Sequence, residues 1–226
     1  SWQLRESTSS PLKYAAHDAY TGFSVAMMRG DLQSALLWSQ RAGDAYGGSD
    51  AWATFARFGA WDRISGAAPQ REFYAVLASG LAALHRGDTK YAQNMLAQYA
   101  NTDADYRWIL EGAIADAQGR VDDAAAAYTN AIDYQAREDT GEQLPLFPAG
   151  EFLGAMYLHH ARYDDAVRAY QAALERFKND PRALYGLAQA QRALGQSSEA
   201  AQTLKTFGTQ WGAAAPPDLA IAKVSP

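Results

Sequence analysis

The stretch Arg162-Tyr163-Asp164-Asp165-Ala166-Val167-Arg168-Ala169-Tyr170-Gln171-Ala172-Ala173-Leu174 decides the fold. Small and large apolar residues stand on a helical spacing, with Ala166 and Ala173 small and Tyr170 large. Thirty-four positions after Ala166 comes Ala200, inside Gly195-Gln196-Ser197-Ser198-Glu199-Ala200-Ala201-Gln202-Thr203-Leu204, where the same types recur at the same offsets. A fixed period of about 34 residues marks stacked helix–turn–helix units, because one helix pair cannot bury its apolar face alone. Gly154, Ala166 and Ala173 are expected where helices approach closely, with Leu153, Tyr157 and Tyr170 filling the space between units. Ala188, Ala200, Leu187 and Leu204 take the matching places one unit later.

Upstream, Ser10-Pro11 offers an N-cap followed by proline in the first helical position. The helix that follows is expected to reach about Arg29, with Gly30 turning the chain and Asp31 capping a second helix. Ser49 to Gly66 reads as a shortened unit. Ser49 caps a helix bearing Trp52, Phe55 and Phe58, Gly59 turns, and a second helix from Trp61 is cut by Gly66 and Pro69. Full units resume from Arg71, with the turn Gly87-Asp88-Thr89, and again around Trp108, Gly112, Gly119 and Tyr128. Between Ala124 and Ala166 lie 42 residues, eight beyond the period, and the surplus is Glu138 to Pro148. Pro145 and Pro148 forbid a continuous helix there, and the bulky residues beside them predict a packed loop. The expected organisation is a tail over 1–10, an array over 11–211 and a second tail over 212–226. Within the array the hairpins are expected at 11–46, 49–66 (short), 70–100, 102–137, 147–178 and 180–211.

Leu153-Gly154, Tyr157, Ala166, Tyr170 and Ala173 resemble the tetratricopeptide repeat (TPR) family. That resemblance implies an all-α, right-handed superhelix (an α–α solenoid) of about five to six helical hairpins, one of them shortened. Glu111 departs from it by standing where the family carries leucine. Met27-Met28-Arg29-Gly30, then Phe55-Ala56-Arg57-Phe58-Gly59-Ala60-Trp61-Asp62, then the proline-rich surplus and two good repeats resemble the C-terminal repeat region of long bacterial TPR proteins of unassigned function. The likeness implies further repeats and an export signal upstream, with this chain the distal part. A start at Ser1 in place of Met fits a processed or excised piece.

The chemistry is mostly one of exclusions. A net charge of -5 and the lack of a clustered Lys/Arg face argue against nucleic acid. Zero cysteines exclude disulfides, zinc–thiolate sites and thiol catalysis. They leave the compartment open while suiting an exported, periplasmic protein better than a cytoplasmic one. No run of 18 apolar residues exists to span a membrane. No nucleophile elbow, phosphate-binding loop, zinc-protease helix or calcium loop occurs, so neither an enzyme nor a cofactor is expected. The doublets Asp122-Asp123 and Asp164-Asp165 read as first-turn carboxylates favoured by the helix dipole. His159-His160 is the strongest metal candidate, but adjacent helical side chains diverge by about 100°, so no metal site is expected.

The aromatic population, 6 Trp and 13 Tyr, exceeds what a bare solenoid core requires. In the TPR family the first helix of each pair lines a concave wall. The resemblance places Tyr20, Tyr74, Tyr106, Arg182, Tyr185, Gln189 and Arg192 on that wall, among neighbours such as Met27, Met28, Leu77, Leu81, Glu151 and Leu158. A mixed apolar and aromatic wall suits a peptide presenting hydrophobic anchors, and Arg182 and Arg192 suit an acidic partner. The Lys/Asn set with which chaperone-binding members clamp a terminal carboxylate is missing. The expected function is therefore a non-enzymatic scaffold binding a protein or peptide on its concave face. The alternative is a spacer or self-association module of a longer TPR protein, forming a homodimer through an exposed repeat end.

Overall fold

A computed structural model describes residues 12–46, 50–66, 74–98, 104–138 and 145–211. Among these residues the regular structure is all helical. In order the helices are α1 (Leu12–Met28), α2 (Leu32–Tyr46), α3 (Ala51–Arg57), α4 (Ala75–His85), α5 (Thr89–Ala97), α6 (Asp105–Ala117) and α7 (Val121–Arg137). They continue with α8 (Ala149–His159), α9 (Tyr163–Arg176), α10 (Pro181–Ala193) and α11 (Ser197–Gln210). A 3₁₀ turn, Trp61–Arg63, follows α3 where a full second helix stands in the other units. Five antiparallel pairs and one stunted pair therefore stack in chain order, which makes the chain an all-α solenoid. The expected Ser10-Pro11 start, the Ser49 cap, Pro69, Arg71, residues 139–144 of the surplus and both tails lie outside the described residues.

Six units share one turn. The chain leaves the first helix of each pair through a left-handed residue, at Gly30, Gly59, Gly87, Gly119, Ala161 and Gly195. In each, the next residue's N–H donates to the carbonyl five positions back: Asp31 to Ala26, Ala60 to Phe55, Asp88 to Ala83, Arg120 to Ala115, Arg162 to Tyr157 and Gln196 to Gln191. This is the Schellman stop, which satisfies carbonyls left over at a helix end. Of these six residues Ala161 is the one with a Cβ, at φ 55°. Asp31 Oδ1 accepts the Ser34 N–H at 3.0 Å and Asp88 Oδ1 the Tyr91 N–H at 2.9 Å, so both aspartates cap the helix that follows.

Packing within a pair is set by a small residue under a large ring. A Cβ built on Gly22 meets Trp38, one on Gly112 meets Tyr128, and one on Gly154 meets Tyr170 at 2.6 Å in each case. The Tyr170 ring also lies against Gly186 of the next unit, so it locks α8, α9 and α10 together. Ala166 and Ala200 are buried at the close contacts. One continuous core runs from Phe23 and Met27 in α1 through Leu77, Leu81, Ile109 and Leu110 to Phe147, Phe152 and Met156, and a second surrounds Tyr170 and Leu187. Leu146 and Phe147 from the end of the surplus segment are buried in the first. The Gln135 side chain anchors them: its amide donates to the Phe147 carbonyl at 2.8 Å and to Asp105 at 2.7 Å, while its oxygen accepts the Ala149 N–H.

Candidate functional site

The described array does not run as an open ribbon. Its stunted unit reaches the last two pairs through a seam. Arg57, the last residue of α3, is 4% exposed and extends two guanidinium nitrogens to Glu151 in the first turn of α8, at 2.7 and 2.8 Å. Its Nη2 also lies 3.8 Å from Asp180 Oδ1 at the cap of α10, and 3.5 Å from the Met28 sulfur. Arg182 completes the cluster, donating from Nε to Glu151 at 2.9 Å and from Nη1 to the Arg57 carbonyl at 3.0 Å. That carbonyl is one of the orphan acceptors at the C-terminal end of α3, so a cation there also faces the negative end of the helix dipole.

Burial and charge oppose each other here. Burial pushes the Glu151 carboxyl up, but Arg57 and Arg182 outweigh it and hold the group below its ordinary value. Asp180 goes the other way, because burial and the neighbouring Glu151 carboxylate raise it well above the usual aspartate range. Arg57 is raised by Glu151 and Asp180 against the pull of burial, and Arg182 is lowered, chiefly by burial. The pair Glu151–Arg57 is bidentate, the geometry in which guanidinium and carboxylate match best. Asp180, so raised, shares a hydrogen bond with the Glu151 carboxylate, while the buried Tyr170 hydroxyl has no hydrogen-bond partner.

Beside the ionic cluster stands an aromatic ladder. Tyr185 of α10 packs on Phe207 of α11 with centroids 5.3 Å apart, Phe207 stacks on Trp211 at 5.9 Å, and Trp211 meets Phe58 at 6.4 Å. Trp211 also covers Gly30, where a Cβ would meet its ring at 2.5 Å. The end of the described chain thus rests on the turn between α1 and α2.

The residues placed on the wall by sequence fall into three groups. Tyr20 packs edge-on against Phe23 at 5.9 Å; Tyr74 lies between Tyr106 at 5.8 Å and Phe147 at 5.6 Å. Burial raises the phenols of Tyr74, strongly, and Tyr106. Arg182 is taken up inside the seam, 8% exposed. Tyr185 and Gln189 are half-buried and Arg192 is exposed on α10. The structure brings Arg182 and Tyr185 into one neighbourhood, while Tyr74 and Tyr106 form another around Phe147. Sequence reading gave no site role to Arg57, Phe58, Asp180, Phe207 or Trp211, and it placed Glu151 on the wall only as a neighbour. Two signals were available: a lone arginine inside Phe55-Ala56-Arg57-Phe58, and a lone acid in Ala149-Gly150-Glu151-Phe152-Leu153.

The other candidates have local explanations. Asp122, Asp123, Asp164 and Asp165 occupy the first turns of α7 and α9, and Asp123 and Asp165 pair with Arg120 and Arg162. His160 contacts Asp116 at 2.7 Å, His159 is exposed, and His85 stacks on Trp61 at 5.3 Å. Among the described residues no three acidic or histidine side chains converge on a metal position, and no helix is long and apolar enough to cross a membrane.

Comparison with known proteins matches part of the chain to a family model. The family model described as Tetratricopeptide repeat matches residues 157–207. Among solved structures, the crystal structure of MamA protein overlaps 86% of this chain and 91% of its own, at 16% identity and a TM-score of 0.46. A kinesin-light-chain-like protein of Podosopora anserina with nearly identical TPR-like repeats overlaps 89% of this chain and 96% of its own, at 14% identity and a TM-score of 0.45. Overlaps this loose transfer no residue and no role. No curated protein sequence matches the chain.

Proposed function

We propose that the chain, whose residues 157–207 match the tetratricopeptide-repeat model, is a non-enzymatic scaffold binding a protein or peptide on its concave wall. A fold of this kind serves protein–protein interaction in general. The wall in this reading is lined by Tyr20, Tyr74, Tyr106, Arg182, Tyr185, Gln189 and Arg192. One observation carries its C-terminal part: Tyr185, Gln189 and Arg192 follow one another at helical spacing along α10, and none of the three is buried. Residues four and three apart share a helix face, so they offer a ring, an amide and a cation in a row to an extended or helical ligand.

The test is capture of partners from the source cell by the protein and by a Gln189→Ala, Arg192→Glu variant. Both positions lie off the core, so helicity and melting temperature should stay nearly unchanged. The reading expects the captured proteins to be lost from the variant. Equal capture by both would refute the α10 face.

Self-association is a second reading, favoured by Val25 and Leu37 on the first pair, 51% and 50% exposed. Light scattering over a concentration series decides it: a growing mass supports a dimer through this end, and a constant monomer mass dismisses it.

A further inference from the structure

The seam grips two consecutive residues of this chain as a site grips a ligand. Arg57 enters a buried pocket made by Glu151, Asp180 and Arg182, 94 positions downstream at the first of these. Phe58 lies at the end of the ladder formed by Trp211, Phe207 and Tyr185. Between the two subsites, the main-chain carbonyl of Arg57 is held by Arg182. A charge pocket, an aromatic shelf and a main-chain anchor are the parts from which peptide recognition is built, and here all three come from α8 to α11 and the residue that ends it.

We propose that this is the peptide subsite of the wall, that it takes a partner's arginine followed by an aromatic residue, and that Arg57-Phe58 is a resident stand-in that such a partner displaces. The inference rests on the scaffold reading above and names the chemistry of the partner. Guanidinium is favoured over ammonium because both Glu151 oxygens are engaged by separate nitrogens of one planar group. The pocket also holds a polar atom that Arg57 does not use, since the buried Tyr170 hydroxyl has no hydrogen-bond partner. The stand-in comes from the unit whose second element, among the described residues, is a three-residue 3₁₀ turn.

A resident occupant on the same chain competes at an effective concentration of about millimolar or above, so the unmodified protein should bind a free peptide weakly. The probe is a fluorescein-labelled synthetic peptide of residues 50–63, titrated with protein and read by anisotropy. An Arg57→Ala, Phe58→Ala protein, with the subsite emptied, should bind it at least tenfold more tightly than the unmodified protein. Replacing the peptide's arginine by lysine, or adding Glu151→Gln to the emptied protein, should each lose at least tenfold. Equal binding by emptied and unmodified protein, or indifference to arginine against lysine, overturns the proposal. If the emptied protein does not fold by circular dichroism, the unmodified protein serves with peptide at millimolar concentration. Saturable binding that the lysine peptide lacks then supports the proposal, and none overturns it. Peptide failure with partner capture still sensitive to Gln189 and Arg192 sinks this inference alone. Peptide success with insensitive capture sinks the α10 face.

Discussion

The Tyr170 ring gives the sharpest quantitative handle on the packing. It is wholly buried between two helical glycines on different units. A methyl on Gly186 would stand 2.1 Å from its Cζ, and one on Gly154 would stand 2.6 Å from its Cε1, so the ring cannot retreat from one without striking the other. Gly208, in α11, has nothing within 4 Å of the same methyl. Exchanging glycine for alanine in a helix favours the helix by about 1 kcal/mol before any contact is considered. At Gly208 that gain should survive as about 0.5–1 kcal/mol of added stability. At Gly186 the forced overpacking costs about 1–3 kcal/mol against that gain, leaving a net loss of up to about 2 kcal/mol. For a chain of this length that is a fall in melting temperature of up to about 8 °C. Urea unfolding followed by circular dichroism measures both variants at constant slope. A Gly186→Ala protein as stable as its Gly208→Ala counterpart would refute the claim that Tyr170 locks three helices.

Other outcomes follow from the turns, the close contacts and the seam. Ala161→Gly should stabilise by about 0.5–1 kcal/mol in the same urea assay, since alanine carries a left-handed φ of 55° that glycine adopts without penalty. Ala166→Leu should cost about 1–3 kcal/mol by overfilling the α8–α9 contact, where Ala166 has no exposure. The raised Asp180 carboxyl predicts a pH effect. A group whose folded value exceeds its unfolded one contributes stability below the unfolded value, about 3.9, and loses it as pH climbs through the raised folded one. Urea midpoints of the unmodified protein should therefore decline over that climb, and Asp180→Asn should flatten the decline; an identical slope in both would exclude Asp180 as its source. Glu151 has the opposite sign. Its depressed carboxyl supports the fold above the unfolded value, about 4.3, and that support goes as pH falls through the folded one.

Local physics made much of the fold readable. The spacing of Ala166 and Ala200 carried the period; Gly30, Gly59 and Gly87 marked helix ends; Asp31 marked a helix start. Each is decided within one turn or one pair. The seam is decided otherwise. Whether Arg57 meets Glu151 depends on small rotations accumulated over several stacked units, and no single unit encodes their sum. The repeat position of Arg182 was legible, but the α3 carbonyl that it caps lies 125 residues upstream. The placement of Tyr74 likewise turned on Phe147, which belongs to the surplus segment outside the repeat pattern.

The most direct measurement is a double-mutant cycle on Arg57→Met and Glu151→Gln. Removing one partner of a buried ion pair costs about 3–5 kcal/mol, and groups in contact show coupling that distant ones lack. A closed seam predicts a coupling energy of about 2–3 kcal/mol between the two positions. Additive effects, with coupling within about 0.5 kcal/mol of zero, would mean that the stunted unit and the last pairs do not touch.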